Sequence, residues 1–383
     1  MTEKTVYVLS HPNLALVKYW GVMPKEIIGD LGIPRYPTKS SASLIADSYK
    51  TVTELTIIPN GSGKLLEFYL DREKISQDSK EWSNVEEFIR NLAIVSGLSS
   101  LYKYNYKIRS ANDFPTGAGL ASSASGFSAL AYAFYKVIPE FQNLDERTLS
   151  IYAAQLSGSA SRSIPSSGGF VVWYRGFDMY QLRNYSQLGF DRDVILKSSY
   201  AESLIPAEEL DDLRIIIVTV NSAKKNISSR EGMEITTRTD PLYWDWVKYE
   251  EYILLPHLIS AMRSKDYPRV WELTMKASDG LHSSMLRSYP RIVYMNDASH
   301  RVAELIIELN QNHGRNIAAY SFDAGPNPII FTTQEYVQKI VNVLRDNGYD
   351  RISVSKVGKG TRQVDEEEGR RLLEHIENMK RSD

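Results

Sequence analysis

A segment rich in glycine and serine, 114–126 (FPTGAGLASSASG), holds residue types that suit the binding of an anion. Small side chains let backbone N–H groups approach a phosphate, and the apolar helix predicted directly after the segment would point its positive end at the same place. The Gly-Lys-Ser/Thr of a Walker loop is absent. Taken alone, the segment fits equally well with a loop that only turns the chain.

Three charged residues stand in unusual surroundings. Lys18 interrupts the apolar run 16–20, Arg162 closes a stretch of small residues (SGSASR), and Asp323 lies in a turn (SFDAGPN) between two apolar segments. A guanidinium is a planar fork that matches carboxylate or phosphate oxygens. The structural alternatives are a lysine that extends to the surface, an arginine at a helix end and an aspartate that caps a turn.

The residues between these segments predict mixed helices and strands. Alternation predicts a strand at Thr5–Leu9 and a hairpin formed by 50–58 and 65–70. Helical spacing predicts helices at 81–95, 127–137, 145–155, 244–262, 267–281, 296–311 and from 365 onward. Elements of both kinds without strict alternation indicate an α+β fold. An acidic stretch at 203–213 precedes a new core strand, so we expect two domains, 1–205 and 206–383.

Composition narrows the functional class. Lys+Arg 45 against Asp+Glu 47 leaves a charge of -2, without the basic surplus typical of nucleic-acid binding. The absence of cysteine excludes disulfides and thiolate nucleophiles, and the six histidines have no metal-ligand spacing, so no metal site is predicted. No apolar run reaches the ~20 residues that span a bilayer, and the first residues do not resemble a signal peptide. We expect a cytoplasmic protein that binds neither nucleic acid nor membrane.

Taken together, four segments resemble the diphosphomevalonate decarboxylase family in the same order. They are 13–21 (NLALVKYWG), 114–126, 157–162 and 322–327 (FDAGPN), and weaker matches occur at 227–233, 272–276 and 294–297. The resemblance implies a two-domain α+β GHMP-kinase-like fold, with the active site in the inter-domain cleft, and a homodimer. In the usual members, ATP phosphorylates the 3-hydroxyl of diphosphomevalonate, and the phosphate then leaves as carbon dioxide is lost.

The resemblance also assigns roles by position. It implies that Asp323, Lys18 and Arg162 are catalytic, with Arg162 holding the substrate carboxylate. The residues implied to bind substrate or phosphate are Asn13, Tyr19, Ser122, Ser123, Ser157, Gly158, Ser159, Ser228 and Arg230.

The sequence departs from the family where a 5-diphosphate would bind. Val22 and Met23 stand in place of a basic pair, and Lys39 begins a segment that is usually Asn-(Asp/Ser)-Ser. These differences favour a 5-monophosphate. The chain is most similar by this criterion to the mevalonate 3,5-bisphosphate decarboxylase of Thermoplasma-type archaea.

The resemblance therefore predicts an elimination of the 3-phosphate and carbon dioxide from mevalonate 3,5-bisphosphate. The product would be isopentenyl phosphate, and neither ATP nor another cofactor would be needed. One alternative is an ATP- and magnesium-dependent decarboxylase of phosphomevalonate or diphosphomevalonate. Another is a metabolite kinase of the same superfamily, which would phosphorylate an alcohol and stop. In each case the partner is a small phosphorylated molecule.

Overall fold

Three β-sheets form the framework of the part of the chain that the structure describes. The computed structural model describes residues 2–114, 122–155, 157–220 and 227–379. Its strands are β1 (Lys4–Ser10), β2 (Asn13–Val17), β3 (Ser41–Ile45), β4 (Thr51–Pro59), β5 (Leu65–Leu70), β6 (Glu73–Lys74), β7 (Tyr104–Asn112), β8 (Phe170–Trp173), β9 (Ala201–Ile205), β10 (Leu213–Val218), β11 (Ala318–Ser321), β12 (Ile329–Thr333), β13 (Ile352–Lys356) and β14 (Arg362–Val364).

Helices cover the sheets and fill the space between them. They are α1 (Lys25–Ile28), α2 (Lys80–Ser96), α3 (Ser122–Val137), α4 (Glu146–Ala153), α5 (Met179–Arg183), α6 (Arg192–Ser198), α7 (Ser229–Thr239), α8 (Tyr243–Tyr249), α9 (Leu255–Arg263), α10 (Tyr267–Arg287), α11 (Asp297–His313), α12 (Val337–Asp346) and α13 (Glu366–Met379). A π-helical turn, Glu250–Leu254, joins α8 to α9, and a 3-10 helix covers Gly158–Ser163.

The first sheet has the order β14-β1-β4-β7-β5-β6 and corrects the predicted hairpin. Both predicted strands exist, but β7 lies between β4 and β5 and runs parallel to β5. The loop that was expected to close the hairpin pairs with the start of β7 instead. Gly61 N–H donates to the Lys103 carbonyl at 2.8 Å, and Gly63 N–H donates to Tyr104 at 2.9 Å. Local alternation identifies strands but not their partners.

In the third sheet, β11-β12-β10-β13, the strands β11, β12 and β10 are buried because helices cover both faces, whereas the edge strand β13 is largely exposed. Along β10, Ile215 and Ile217 belong to the core cluster that includes α9 and α10, while Ile216 and Val218 face the cluster that includes α11. The period of two along a strand sends alternate side chains to opposite faces. The sheet is therefore a rigid base for the turn that follows β11.

One core cluster joins the two halves of the chain. It contains Leu14 and Leu16 of β2 in the second sheet, β2-β3-β8-β9, together with Ile215 of β10 and Phe331 of β12. The predicted domain boundary after residue 205 falls between β9 and β10, which belong to different sheets; it stays a prediction. Among the residues that the structure describes, no helix is long and apolar enough to cross a membrane.

Candidate active site

Lys18 and Asp323 meet where a strand from each half of the chain ends. Lys18 directly follows β2, and Asp323 lies two residues after β11. The Ser321 hydroxyl donates to the Ala15 carbonyl at 3.2 Å, which holds the two strand ends together. As a result, Lys18 Nζ lies 2.7 Å from Asp323 Oδ1. Lys18 is 2% exposed, which excludes the structural alternative of a lysine that extends to the surface.

The turn of Asp323 is fixed by α10. The N–H of Phe322 donates to Ser278 Oγ at 3.0 Å, and the Gly325 N–H donates to the Asp323 carbonyl at 2.7 Å. The Asp323 side chain keeps 27% of its surface exposed. No described residue donates a hydrogen bond to its second oxygen, Oδ2. The carboxylate is thus anchored through one oxygen and accessible through the other.

Burial governs the charge of Lys18. Loss of hydration lowers the pKa of its ammonium group, while the charges of Asp323 and Glu250 act in the opposite direction. His282 on α10 is close enough to respond to the same pair. Burial, followed by the charge of Lys18, lowers the pKa of His282 to about 4, so its imidazole is neutral near pH 7.

Arg162 is buried beside this pair, near the end of the 3-10 helix, which excludes the structural alternative of an arginine on the surface. It is 2% exposed. Its Nε donates to Ser43 Oγ at 2.5 Å and Asn13 Oδ1 at 3.1 Å, and its Nη1 donates to Ser41 Oγ at 2.5 Å. Burial lowers its pKa to about 10, against the opposing charge of Asp323. Within the described ranges, no acceptor faces Nη2, which leaves a donor for a ligand.

Asn13 connects the segments that the sequence placed far apart. Its amide nitrogen donates to the Ser159 carbonyl and to Ser163 Oγ, each at 2.8 Å. Its oxygen accepts from Ser43 Oγ at 3.0 Å, besides the bond from Arg162. The side chain is therefore fully used in holding the 3-10 helix against β2 and β3. Its role as a substrate ligand stays a prediction.

Tyr19, the residue after Lys18, lies against the 3-10 helix. Its ring packs on Trp173 with centroids 5.0 Å apart, and a Cβ at Gly158 would lie 2.5 Å from the ring. Gly158 is thus needed for the close approach of the phenol. The buried Tyr19 Oη makes no hydrogen bond of normal geometry with a described residue, although the guanidinium of Arg35 lies close enough to act as a donor to it. An anion would supply an acceptor for the hydroxyl.

Two arginines lie near that phenol. Burial raises the pKa of Tyr19, and the charges of Arg35 and Arg230 act against the rise. Arg35 is 8% exposed, and its Nε donates to the Gln155 carbonyl at 3.1 Å. Arg230 is more open and pairs with Glu87, its Nη2 lying 3.2 Å from Glu87 Oε1. Cations around a buried phenol make this place suited to a phosphate.

The predicted serines divide into two groups. Ser157 and Ser159 lie together beside Gly158, with their hydroxyl oxygens 3.1 Å apart. Ser228 accepts a hydrogen bond from Glu231 N–H at 3.2 Å and so forms the N-cap of α7. Ser122 begins α3, but the side chains of Ser122 and Ser123 lie outside the described residues, as does the rest of the predicted phosphate loop at 115–121.

The sequence analysis assigned no role in the candidate site to four residues, which are Arg35, His282, Lys39 and Glu250. Arg35 lies in a loop rich in proline and glycine, where no pattern reports burial. For these residues, the one signal in the sequence was the charge of Lys39 in the polar segment before β3. No group of three or more His, Cys, Asp or Glu that could hold a metal ion occurs in the ranges that the structure describes.

Comparison with known proteins connects this geometry to a family. Residues 10–184 match the diphosphomevalonate decarboxylase-like N-terminal domain, and residues 215–382 match the mevalonate 5-diphosphate decarboxylase C-terminal domain. The diphosphomevalonate decarboxylase of Ganoderma lucidum is 33% identical over 347 residues, which are 87% of this chain and 79% of the relative. The chain belongs to the diphosphomevalonate decarboxylase family.

Solved structures of family members share the fold. The mevalonate diphosphate decarboxylase of Staphylococcus aureus superposes with a TM-score of 0.79 at 29% identity, covering 95% of this chain and 99% of that one. A second relative, at TM-score 0.78 and 27% identity, covers 95% of this chain and 100% of its own, and was solved in complex with MVAPP, AMPPCP and magnesium. The predicted two-domain α+β GHMP-kinase-like fold is confirmed, and the protein is a decarboxylase, that is, a carbon–carbon lyase.

Two expectations are corrected by these relatives. The prediction of an elimination from mevalonate 3,5-bisphosphate without ATP is wrong, because the relatives of about 30% identity are diphosphomevalonate decarboxylases. The prediction that no cofactor is used is wrong as well, because a structural relative binds AMPPCP and magnesium.

Proposed function

We propose that the protein is an ATP-dependent decarboxylase of 5-phosphorylated mevalonate, with diphosphomevalonate as the first candidate substrate. The observation that carries the proposal is the meeting of Lys18, Asp323 and Arg162, three charged groups from distant segments, at one cleft. In such a substrate, the carboxylate of Asp323 suits the hydroxyl, the cation of Lys18 suits the departing phosphate, and the guanidinium of Arg162 suits the carboxylate.

Asp323 is the proton acceptor in this scheme. Lys18 Nζ, 2.7 Å from Oδ1, holds the carboxylate in place, and the accessible Oδ2 can accept the proton of the 3-hydroxyl. When the hydroxyl oxygen forms its bond to phosphorus, the bond from that phosphorus to ADP would break, ADP would leave with the electron pair, and the hydroxyl proton would move to Asp323. When the C3–O bond later breaks, the phosphate leaves with the electron pair, and the positive charge of Lys18 stabilises it.

Arg162 holds the carboxylate that becomes carbon dioxide. Its Nε and Nη1 are fixed by Ser43, Asn13 and Ser41, so the free Nη2 has one direction. A carboxylate held there keeps its C–C bond aligned with the breaking C3–O bond. The electron pair of the C–C bond then forms the double bond of the product as the phosphate departs.

The 5-phosphate end of the substrate is assigned to the surroundings of Tyr19. The phenol supplies a donor, and Arg35 and Arg230 supply positive charge. Ser157 and Ser159 add hydroxyl groups on the same side of Gly158. Charge-assisted bonds of this kind are about twice as strong as neutral ones.

ATP with magnesium, when bound, supplies the phosphoryl group that turns the 3-hydroxyl into a leaving group. The described residues fit that cosubstrate: α3, a 16-residue helix, begins at Ser122 within the segment rich in glycine and serine, and the positive end of a helix stabilises phosphate groups.

A monophosphate is the second candidate substrate, and one observation favours it. Val22 and Met23, which follow the Tyr19 segment, carry no charge, and Met23 is buried in an apolar cluster at 2% exposure. A second phosphate would gain no cation from these residues. The mevalonate pathway, a cytoplasmic location and a homodimer complete the proposal.

The test supplies purified protein with ATP, magnesium and either diphosphomevalonate or 5-phosphomevalonate. We expect ADP, phosphate and carbon dioxide in equal amounts from one of the two substrates. A phosphorylated product that keeps its carboxylate would assign the protein to the metabolite kinases. Absence of any ATP-dependent product from both substrates contradicts the proposal.

A further inference from the structure

A second buried lysine lies directly behind the active-site lysine. The side chain of Lys39 is 0% exposed, and that of Glu250 is 1% exposed. Lys39 Nζ donates one short hydrogen bond to Glu250 Oε2 and another to the main-chain carbonyl of Lys18. The same ammonium lies 4.9 Å from the ring centroid of Trp246. Thus Lys39 touches the backbone of Lys18 rather than any ligand.

The two partners come from opposite halves of the chain. Lys39 precedes β3, whereas Glu250 opens the π-helical turn between α8 and α9. The neighbouring Glu251 binds the next residue of the same segment, accepting from Ser40 N–H at 2.6 Å and from Ser40 Oγ at 2.8 Å. Adjacent residues of a helix usually point in different directions. Here the carboxylates of Glu250 and Glu251 both bind the segment of Lys39 and Ser40. π-Helical turns are frequent at functional sites.

Stability alone does not account for a buried ion pair. Two charges lose their hydration on burial, and replacement of such a pair by apolar residues of similar volume is often neutral for stability or favourable. The burial lowers the pKa of Lys18 and raises that of Glu250, so the region is strongly desolvated. What an apolar pair could not replace is the donor to the Lys18 carbonyl.

We propose that Lys39 and Glu250 are a positioning pair that fixes the main chain of Lys18 and thereby aims its ammonium group at Asp323. Glu250 holds Lys39, Lys39 holds the Lys18 carbonyl, and Lys18 Nζ holds Asp323 Oδ1. Glu250 and Asp323, at the two ends of this series of contacts, belong to the carboxyl-terminal half. Lys39 and Lys18, between them, belong to the amino-terminal half. Its catalytic meaning rests on the proposed function, since it acts through Lys18.

The experiment uses the double variant Lys39→Met/Glu250→Leu, because either single variant leaves one buried charge unpaired and is expected to unfold easily. The double variant removes both charges and keeps the volume. We expect a denaturation midpoint close to that of the wild type, a kcat at least 10-fold lower and a KM within about 2-fold. A crystal structure of the variant should show Lys18 Nζ displaced from Asp323, a contact of 2.7 Å in the native chain.

The control is Arg109→Met/Glu377→Leu, which removes a buried carboxylate of α13 and one of the two partly exposed arginines that bind it, Arg109 of β7 and Arg72. It should leave kcat unchanged. A double variant of Lys39 and Glu250 that keeps the wild-type kcat, or that keeps the Lys18–Asp323 contact in the crystal, overturns the positioning role. Failure of the proposed function is distinct, since wild-type protein would then show no turnover, and the crystallographic result would still decide the structural part of the inference.

Discussion

Lys18 Nζ and Asp323 Oδ1 are 2.7 Å apart although 305 residues separate them in the chain. The contact exists because β2 and β11 end side by side, and each strand belongs to a different sheet. The hydroxyl of Ser321, which binds the end of β11 to β2, therefore helps to hold Lys18 and Asp323 together.

The substitution Asp323→Asn should abolish most turnover and leave the fold intact. The amide cannot accept the hydroxyl proton, so we expect kcat to fall by about 10²- to 10⁴-fold with little change in KM. Steady-state assays with the preferred substrate measure this, with the exposed Asp297 as control through Asp297→Asn. A loss of substrate binding as large as the loss of kcat would assign Asp323 a positioning role instead.

For Arg162, the informative quantity is the ratio of carbon dioxide to ADP. Arg162→Lys keeps a charge but loses the planar fork that Ser41, Ser43 and Asn13 hold. We expect kcat/KM to fall by about 10- to 100-fold, as for loss of a charge-assisted bond, and the ratio to drop below one. Arg175→Lys, at another buried arginine, is the control. A ratio that stays at one would mean that Arg162 does not hold the carboxylate.

Arg35 should determine the KM for the phosphorylated substrate. Arg35→Met removes a cation beside the buried phenol of Tyr19, so we expect KM to rise about 10- to 100-fold with kcat nearly unchanged. Arg301→Met, on the exposed face of α11, should do nothing. If Arg35→Met lowers kcat alone, the phosphate lies elsewhere.

Acid should destabilise the protein partly through His282. Its pKa is about 4 in the folded chain and about 6.5 when unfolded. Between these values the unfolded chain binds the proton and the folded chain does not, so stability is lost as pH falls from about 6.5 to 4. At pH 5 this difference lowers the free energy of unfolding by about 2 kcal/mol.

Urea unfolding of the wild type and of His282→Gln at pH 7 and pH 5 measures this effect. The variant should lose less stability between the two pH values. His257→Gln, at an exposed histidine, serves as the control. Equal losses in the wild type and in His282→Gln would show that His282 is free to protonate in the folded state.

The sequence was informative where a motif is local. The segments of Lys18, Arg162 and Asp323 were found from residue type and spacing, because each departs visibly from its apolar or small neighbours. Arg35 was not, because a loop gives no periodicity from which burial can be read. The partner of β5 was also missed, since the alternation of Leu65–Leu70 is the same whether it pairs with β4 or, as it does, with β7. The periodicity of a segment does not indicate which distant segment it contacts.

The core cluster that includes both β2 and β10 has a consequence for any attempt to divide the molecule. Leu14, Leu16 and Phe170 rest on Ile215 and Phe331, so cutting the chain after residue 205 would expose apolar surface on both fragments. Each fragment expressed alone should aggregate, whereas the two produced together should assemble. For the same reason, calorimetry should record one cooperative melting event, and exchange of one half with that of a relative would need matched substitutions along this seam.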